Sequence, residues 1–354
     1  MKLIIQIPCL NEADQLPATL GDLPRAVAGF DEVEWLIVDD GSTDRTIEVA
    51  RRHGVDHVVR LTNNKGLAAA FQAGIDACLK LGADVIVNTD ADNQYEADDI
   101  PKLVEPIVRG DADLVVGDRV IGSVEHFSPL KKRLQHFGSA VVRRASGTDV
   151  PDTTSGFRAY NREAALQVTV VSKYTYTLES IIQAGKMLVA VDHTPIRARK
   201  VDRPSRLFGS SMWGYVRRNA VAIFRVYSMY EPLRVFMTAA IVVAVIAAAI
   251  WLRYFVYFVQ GEGGGHLQSV ILGAVLVIAA VQLAALGVMG DILAGMRTLQ
   301  QRTLERVRRV ELQLGVEPSH YEPGDRDAGI APEATTGVDA GPATGKPDRE
   351  TVGL

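Results

Sequence analysis

Three short polar clusters carry the chemistry that this sequence can perform. They read Pro8-Cys9-Leu10-Asn11-Glu12, Asp39-Asp40-Gly41-Ser42-Thr43-Asp44 and Asp90-Ala91-Asp92-Asn93-Gln94. Two carboxylates flanking one residue can face a hard divalent cation, and Mg2+ or Mn2+ is usually held by one or two carboxylates plus substrate phosphates. An acidic turn capping the next helix would look the same for Asp90 and Asp92 alone. The second pair, Asp39 and Asp40, tips the balance toward a metal-assisted site. Asn64-Lys65-Gly66 opens a helix whose first N–H groups, with the Lys65 charge, suit a phosphate. A turn beneath a small-residue helix face, Ala68, Ala69, Ala70 and Gly74, is the structural alternative. Neither Gly-x-Gly-x-x-Gly nor a Walker A sequence occurs, so a nucleotide would be held through metal and carboxylates.

Such clusters need strands that end at one edge. Short apolar runs at Leu3 to Ile7, Trp35 to Val38, His57 to Leu61, Asp84 to Asn88 and Asp113 to Val116 read as strands. Between them, Ala13 to Ala28, Asp44 to His53, Gly66 to Leu81 and Ala97 to Arg109 read as helices. The alternation predicts βαβ units around a mostly parallel, doubly wound sheet, with Gly54 and Gly82 placed as helix stops. Ligands of an open α/β sheet bind beyond the carboxyl ends of its strands, where the three clusters fall. From Pro129 to Arg206 the pattern loosens into helices, turns and two strands.

Composition divides the rest of the chain. The 354 residues carry a net charge of -4, which argues against a general nucleic-acid binder. Two cysteines, Cys9 and Cys78, make no disulfide framework and favour a reducing compartment. No signal peptide is evident at the N-terminus, which predicts a chain kept facing the cytoplasm. From Val235 to Gly290 the only formal charges are Arg253 and Glu262, where the average rate would place about thirteen. Val235 to Leu252, extendable to Val259, and Leu267 to Gly290 are each long enough to cross a bilayer, with Gln260 to His266 as a short linker. Before them, Met212 to Tyr230 mixes Trp213, Tyr215, Phe224, Tyr227 and Tyr230 with Arg217, Arg218 and Arg225, which suits a helix at the headgroup level. Arginines flank both outer ends of the pair, so both termini are expected in the cytoplasm. Thr298 to Leu314 reads as a charged helix, and the Pro-, Gly- and Ala-rich residues beyond Pro318 as a disordered tail.

The ordered clusters resemble the family 2 glycosyltransferases with a GT-A fold. The resemblance rests on residues 7–12, 38–46, 64–66 and 90–94 and covers the first 120 residues. Val150-Pro151-Asp152-Thr153-Thr154-Ser155-Gly156-Phe157-Arg158 is similar to a segment of polyprenyl-phosphate sugar synthases, some of which also end in two membrane helices. The resemblance implies that Pro8, Glu12 and Asp40 line the nucleoside pocket. The donor site is assigned to Pro8, Asn11, Glu12, Asp39, Asp40, Lys65, Gly66, Asp90 and Gln94, and the metal, Mg2+ or Mn2+, to Asp90 and Asp92. Arg119, Arg133, Arg158 and Arg206 are the candidates for an acceptor phosphate, since the guanidinium fork matches phosphate oxygens. Asp90, Asp92, Arg119, Asp152 and Arg158 form the expected catalytic set, with Asp152 orienting an arginine or the acceptor, or capping a helix.

The expected architecture is an α/β fold: a GT-A type Rossmann-like doubly wound sheet, followed by an amphipathic interfacial helix and two transmembrane helices. Residues 1–210 would form the cytoplasmic catalytic domain, 211–234 the interfacial helix, 235–290 the hairpin, 291–317 a charged cytoplasmic helix and 318–354 the tail. The expected reaction is inverting transfer of one sugar from a UDP- or GDP-sugar to a polyprenyl phosphate at the cytoplasmic membrane face, with a homo-oligomer left open. One alternative is transfer to a sugar hydroxyl of a lipid-linked glycan, which needs a positioned base, Glu179 or Asp152. The other is a non-catalytic membrane scaffold. The segment Arg199 to Phe208, with Arg203, Ser205 and Arg206, departs from the Gly-x-Ser-Lys type sequence of the related synthases. No Gln-x-x-Arg-Trp accompanies Trp35, Trp213 or Trp251, which speaks against a processive polysaccharide synthase.

Overall fold

The computed structural model describes residues 1–119, 138–144, 146–170, 176–199, 221, 224, 225, 227–261 and 263–325. Arg133, Arg203, Ser205, Arg206 and most of the expected interfacial helix lie outside the described residues.

The first half folds as the alternation requires. Strands β1 (Lys2–Cys9), β2 (Glu32–Asp39), β3 (His57–Arg60) and β4 (Val85–Asn88) alternate with helices α1 (Leu16–Asp22), α2 (Thr46–Arg52) and α3 (Leu67–Lys80). Helix α4 (Ile100–Arg109) then leads to β5 (Leu114–Asp118). After them come β6 (Arg158–Asn161), α5 (Arg162–Gln167), α6 (Thr177–Lys186) and β7 (Val191–Pro195). Helix α1 ends well before Ala28 because Leu23 precedes Pro24 and adopts an extended backbone, as a residue before proline prefers. Gly54, Gly82 and Gly110 take positive φ just past α2, α3 and α4.

Strand β1 is buried from Leu3 to Cys9 and lies between β2 and β4, parallel to both. Its alternate side chains feed two cores: Ile4 joins the one under α3, whereas Leu3, Ile5 and Ile7 join the one that includes Leu16 of α1 and Leu103 of α4. The sheet order is β7-β5-β6-β4-β1-β2-β3, extended at the β3 edge by β8 (Tyr321–Pro323). Chain order reverses around β1, the switch point where open α/β sheets bind ligands. The sheet is mixed, because β6 runs antiparallel to both β4 and β5.

Two long apolar helices follow, α7 (Pro232–Val259) and α8 (Leu267–Gln313). They are long and apolar enough to cross a membrane, and only 11% and 17% of their most apolar windows is buried, unlike core helices. Their shared seam uses small residues one heptad apart: Ala240 and Ala247 on α7; Gly273, Ala280 and Gly287 on α8. Small residues let helix backbones approach closely in a bilayer. A Cβ on Gly273 would stand 2.1 Å from Trp251 Nε1, and one on Gly290 2.7 Å from Pro232 Cβ.

Two expectations are corrected at the C-terminal end. The second span and the charged helix are one helix of 47 residues, about 70 Å at 1.5 Å per residue, because no proline interrupts it. It reaches the catalytic domain: Arg308 Nη1 donates to the Leu166 and Val168 carbonyls at 2.9 and 2.7 Å, and Arg297 pairs with Glu179 at 2.8 Å. The tail also does not begin disordered at 318, since β8 pairs antiparallel with β3. An open edge strand offers unpaired backbone groups, and Glu322, ion-paired to Arg51 at 2.6 Å, helps to cover it.

Gly273→Val should overpack the hairpin beside Trp251 and lower the stability of the detergent-solubilised protein by about 1–3 kcal/mol. Thermal unfolding of parent and variant in the same detergent checks this; an unshifted melting curve contradicts the seam.

Candidate active site

The three clusters meet at the carboxyl ends of β1, β2 and β4. Asn11, in the left-handed region at φ 53°, turns the chain after β1. Its amide donates to Ser42 Oγ at 2.9 Å, and its Oδ1 accepts from the Thr43 amide at 2.8 Å. Glu12 donates its amide to Thr46 Oγ1 at 2.9 Å. These bonds stitch the first two loops together and engage the Asn11 side-chain oxygen. Pro8 is buried within β1 opposite Val38.

Asp39 and Asp40 take different roles. Asp40 is buried and accepts the amides of Lys65 at 2.7 Å and Gly66 at 2.9 Å. Those two amides are therefore engaged, which corrects the expectation that this turn presents them to a phosphate. Gly41 must be glycine: its φ is +80°, and a Cβ would meet the Asn63 carbonyl carbon at 2.7 Å. Asp39 is wholly buried; its Oδ1 accepts from the Ser42 amide at 3.1 Å, whereas Oδ2 accepts no hydrogen bond from any described residue. Arg60 Nε lies 3.7 Å from that oxygen, at ion-pair distance.

Asp90 and Asp92 follow β4. Asp92 Oδ1 accepts from the Gln94 amide at 3.2 Å, and Thr19 Oγ1 holds the Ala91 carbonyl at 2.9 Å. Burial, then the charge of Asp92, pushes the Asp90 carboxyl up to about 7 against the pull of Arg119, Tyr95 and Arg158. Two crowded carboxylates that oppose each other's ionisation fit a divalent cation, which would relieve the repulsion. Tyr95, missed in the sequence, links this pair to the next loop: its hydroxyl bonds Asp90 and accepts the Gly156 amide at 3.1 Å. Burial, then Asp90, pushes that phenol up to about 12, so it stays a donor. A Cβ on Gly156 would approach Tyr176 Oη at 2.8 Å and the Asp90 oxygens at 3.1 and 3.2 Å.

Beneath the site lies a buried polar ladder. Gln6 donates to Asn88 at 2.8 Å, and Asn88 donates to the Gly156 carbonyl at 2.8 Å and Tyr176 Oη at 3.0 Å. Buried amides are tolerated only when bonded in this way.

The arginines separate by burial. Arg119, just after β5, sets Nε and Nη2 on the two Asp152 oxygens at 2.7 and 3.0 Å, and Nη2 also reaches Thr154 Oγ1 at 2.8 Å. Burial works against the Asp152 charge, but Arg119 overcomes it and holds the carboxyl below its usual range. Asp152 is therefore engaged by Arg119 through both of its oxygens. Arg158 is the correction: it is wholly buried and donates to the Ser155 and Thr153 carbonyls at 2.8 and 3.0 Å and to Ser180 Oγ at 2.7 Å. It braces the loop that carries Asp152 and is not presented to an acceptor. Glu179, the other candidate base, is wholly buried and paired with Arg297.

The sequence model of glycosyl transferase family 2 matches residues 4–169. An undecaprenyl-phosphate mannosyltransferase of Micrococcus luteus is 35% identical over 206 residues, covering 55% of this chain and 83% of its own. The chain belongs to glycosyl transferase family 2. A dolichol-phosphate mannosyltransferase of Pyrococcus furiosus is 33% identical over 228 residues, covering 61% of this chain and 62% of its own. Glucosyl-3-phosphoglycerate synthase from Mycobacterium tuberculosis in complex with UDP shares the GT-A fold, with a TM-score of 0.50 and 20% identity over 64% of this chain and 80% of that one. This family 2 protein is accordingly a glycosyltransferase with a GT-A sheet and two candidate membrane spans.

The fold favours the neutral Asp90 carboxyl, so the cost of ionising it is absent near pH 4, grows as pH rises and is complete above about 7. With EDTA present, Asp90→Asn should therefore melt about 5 °C above the parent at pH 8 and with it near pH 4. Differential scanning calorimetry checks this, and a gap independent of pH contradicts it.

Proposed function

We propose that the protein transfers one sugar, with inversion, from a UDP- or GDP-sugar to a polyprenyl phosphate at the cytoplasmic face of a membrane. The observation that carries this reading is the joint between site and hairpin. Helix α6 starts beside Tyr176, whose hydroxyl lies against Asn88 under the carboxylates. Three residues later, Glu179 grips Arg297 of α8. A helix continuous with an apolar span thus docks a few residues from the reacting centre, where a lipid phosphate would arrive. The named activities of the Micrococcus and Pyrococcus relatives support the same acceptor class.

The residues divide the work. Pro8 and the loops closed by Asn11 and Asp40 would enclose the nucleoside, with Asp39 Oδ2 as an acceptor for a base N–H. Asp90 and Asp92 would hold Mg2+ or Mn2+; when bound, such an ion neutralises charge on a leaving diphosphate. Arg119, kept in one orientation by Asp152 and Thr154, would meet phosphate oxygens. A phosphate acceptor is anionic near neutral pH and needs no general base. The two carboxylates considered for base catalysis on a hydroxyl, Asp152 and Glu179, are both engaged with arginines, which disfavours the lipid-linked glycan alternative. For a nucleophile that is already charged, positioning dominates the rate.

In nanodiscs with Mg2+ or Mn2+ and a panel of UDP- and GDP-sugars, organic-extractable sugar should form with undecaprenyl or dolichyl phosphate, and Arg119→Lys should lower kcat about 100-fold with donor binding retained. Product with a lipid-linked saccharide alone overturns the acceptor, and turnover unchanged in Arg119→Lys overturns the arginine's role.

A further inference from the structure

The geometry points to the C-terminal strand β8 as the device that sets Arg60 at the nucleobase end of the donor pocket, where Arg60 and Asp39 together read the base. This rests on the donor-pocket reading above.

Arg60 closes β3 in register with Asp39. Its side chain is 54% exposed, so packing alone does not hold it, and a free arginine carries about 2 kcal/mol of rotamer entropy. Its backbone is held instead. On one side, the next residue, Leu61, donates its amide to the Asp39 carbonyl at 2.9 Å. On the other, the Arg60 amide donates to the His320 carbonyl, also at 2.9 Å. His320 belongs to the tail and takes a left-handed φ of 59° to enter β8.

The strand is fixed at several further points. Tyr321 Oη meets His57 Nδ1 at 3.0 Å, Arg51 Nη1 donates to the Pro323 carbonyl at 3.0 Å, and the Gly324 amide donates to the Asp56 carbonyl at 2.9 Å. Gly324 must lack a side chain, because a Cβ would stand 2.0 Å from the Val55 carbonyl oxygen. Since β8 begins eight residues beyond the end of α8, the long helix is fastened to the catalytic sheet at this edge as well as through Arg297 and Arg308.

The chemistry at Arg60 is specific. Asp39 Oδ2 is a buried acceptor without a hydrogen bond from any described residue, and the guanidinium beside it offers only donors. An adjacent acceptor and donor complement a ring N–H next to a ring carbonyl, the pattern shared by uracil and guanine. A charge-assisted bond from arginine to that carbonyl would add to the one made by the carboxylate.

The test is calorimetric titration of full-length protein with UDP and, separately, GDP in the presence of Mn2+. Arg60→Ala should weaken the tighter of the two by about ten-fold, with Arg60→Lys recovering part of the loss. Gly324→Ala, which lifts β8, should weaken it about three-fold, and the double variant should match Arg60→Ala alone, because both act through one side chain. Glu322→Ala, which loosens the strand without a clash, should change binding in the same direction if Gly324→Ala fails to fold. Asp39→Asn separates the two levels. Lost binding in Asp39→Asn with parental binding in Arg60→Ala overturns the role of Arg60, additive losses in the double variant overturn the coupling to β8, and parental binding in Asp39→Asn overturns the donor pocket itself.

Discussion

Asp90 and Asp92 stand two residues apart at the end of β4, in a partly buried pocket where ionising both is unfavourable. Much of the surrounding architecture can be read as the means of holding that crowding in place. The Gln6-Asn88 ladder closes off the strand ends below it, Tyr95 bonds Asp90 from the side, and Gly156 lets the loop bearing Asp152 come within contact of the carboxylates. Without side-chain-free backbone at 156 and a fully bonded amide at 88, that loop would stand farther off. Arg119, on Asp152, would then lose its place beside Asp90.

The second constraint is mechanical. A 47-residue helix that is apolar for its first half and charged for its second must be anchored in two environments. Its apolar half packs on α7 through glycine and alanine, which bring the backbones close without relying on hydrophobic burial. Its charged half is held by ionic and backbone contacts: Arg297 to a buried glutamate, Arg308 to two carbonyls, and Lys80 of α3 to Glu311 at 3.2 Å. Charges removed from water are tolerated when paired and bonded as these are. The hairpin and the carboxylate pocket thereby belong to one structural unit.

Local features were legible in the sequence. The strand runs and helix stops of the first 120 residues, the shared edge of the three clusters and the two apolar spans all follow from periodicity, turn residues and charge segregation. What could not be read was which polar groups meet across the chain. Arg119 and Arg158 look equivalent as sequence, yet one is set beside the carboxylates and the other lies under a loop; only burial distinguishes them. Glu179 meets a partner 118 residues away, and β8 joins β3 across more than 260 residues with only three residues of its own, too short for any alternation to register. The spacing places Asp40 at a strand end, but its bonds to the Lys65 and Gly66 amides depend on loop geometry that spacing does not encode.

In the proposed reaction the site activates no nucleophile and instead positions one that already carries its charge. The most direct measurement compares polyprenyl phosphate with the free polyprenol of the same chain length as acceptors for one nucleotide sugar, with the glycolipid product quantified after extraction. Glycosylated phosphate is expected, and no glycosylated alcohol. Transfer to the alcohol at a comparable rate would contradict this, because that reaction requires a base that neither Asp152 nor Glu179, each paired with arginine, is placed to supply.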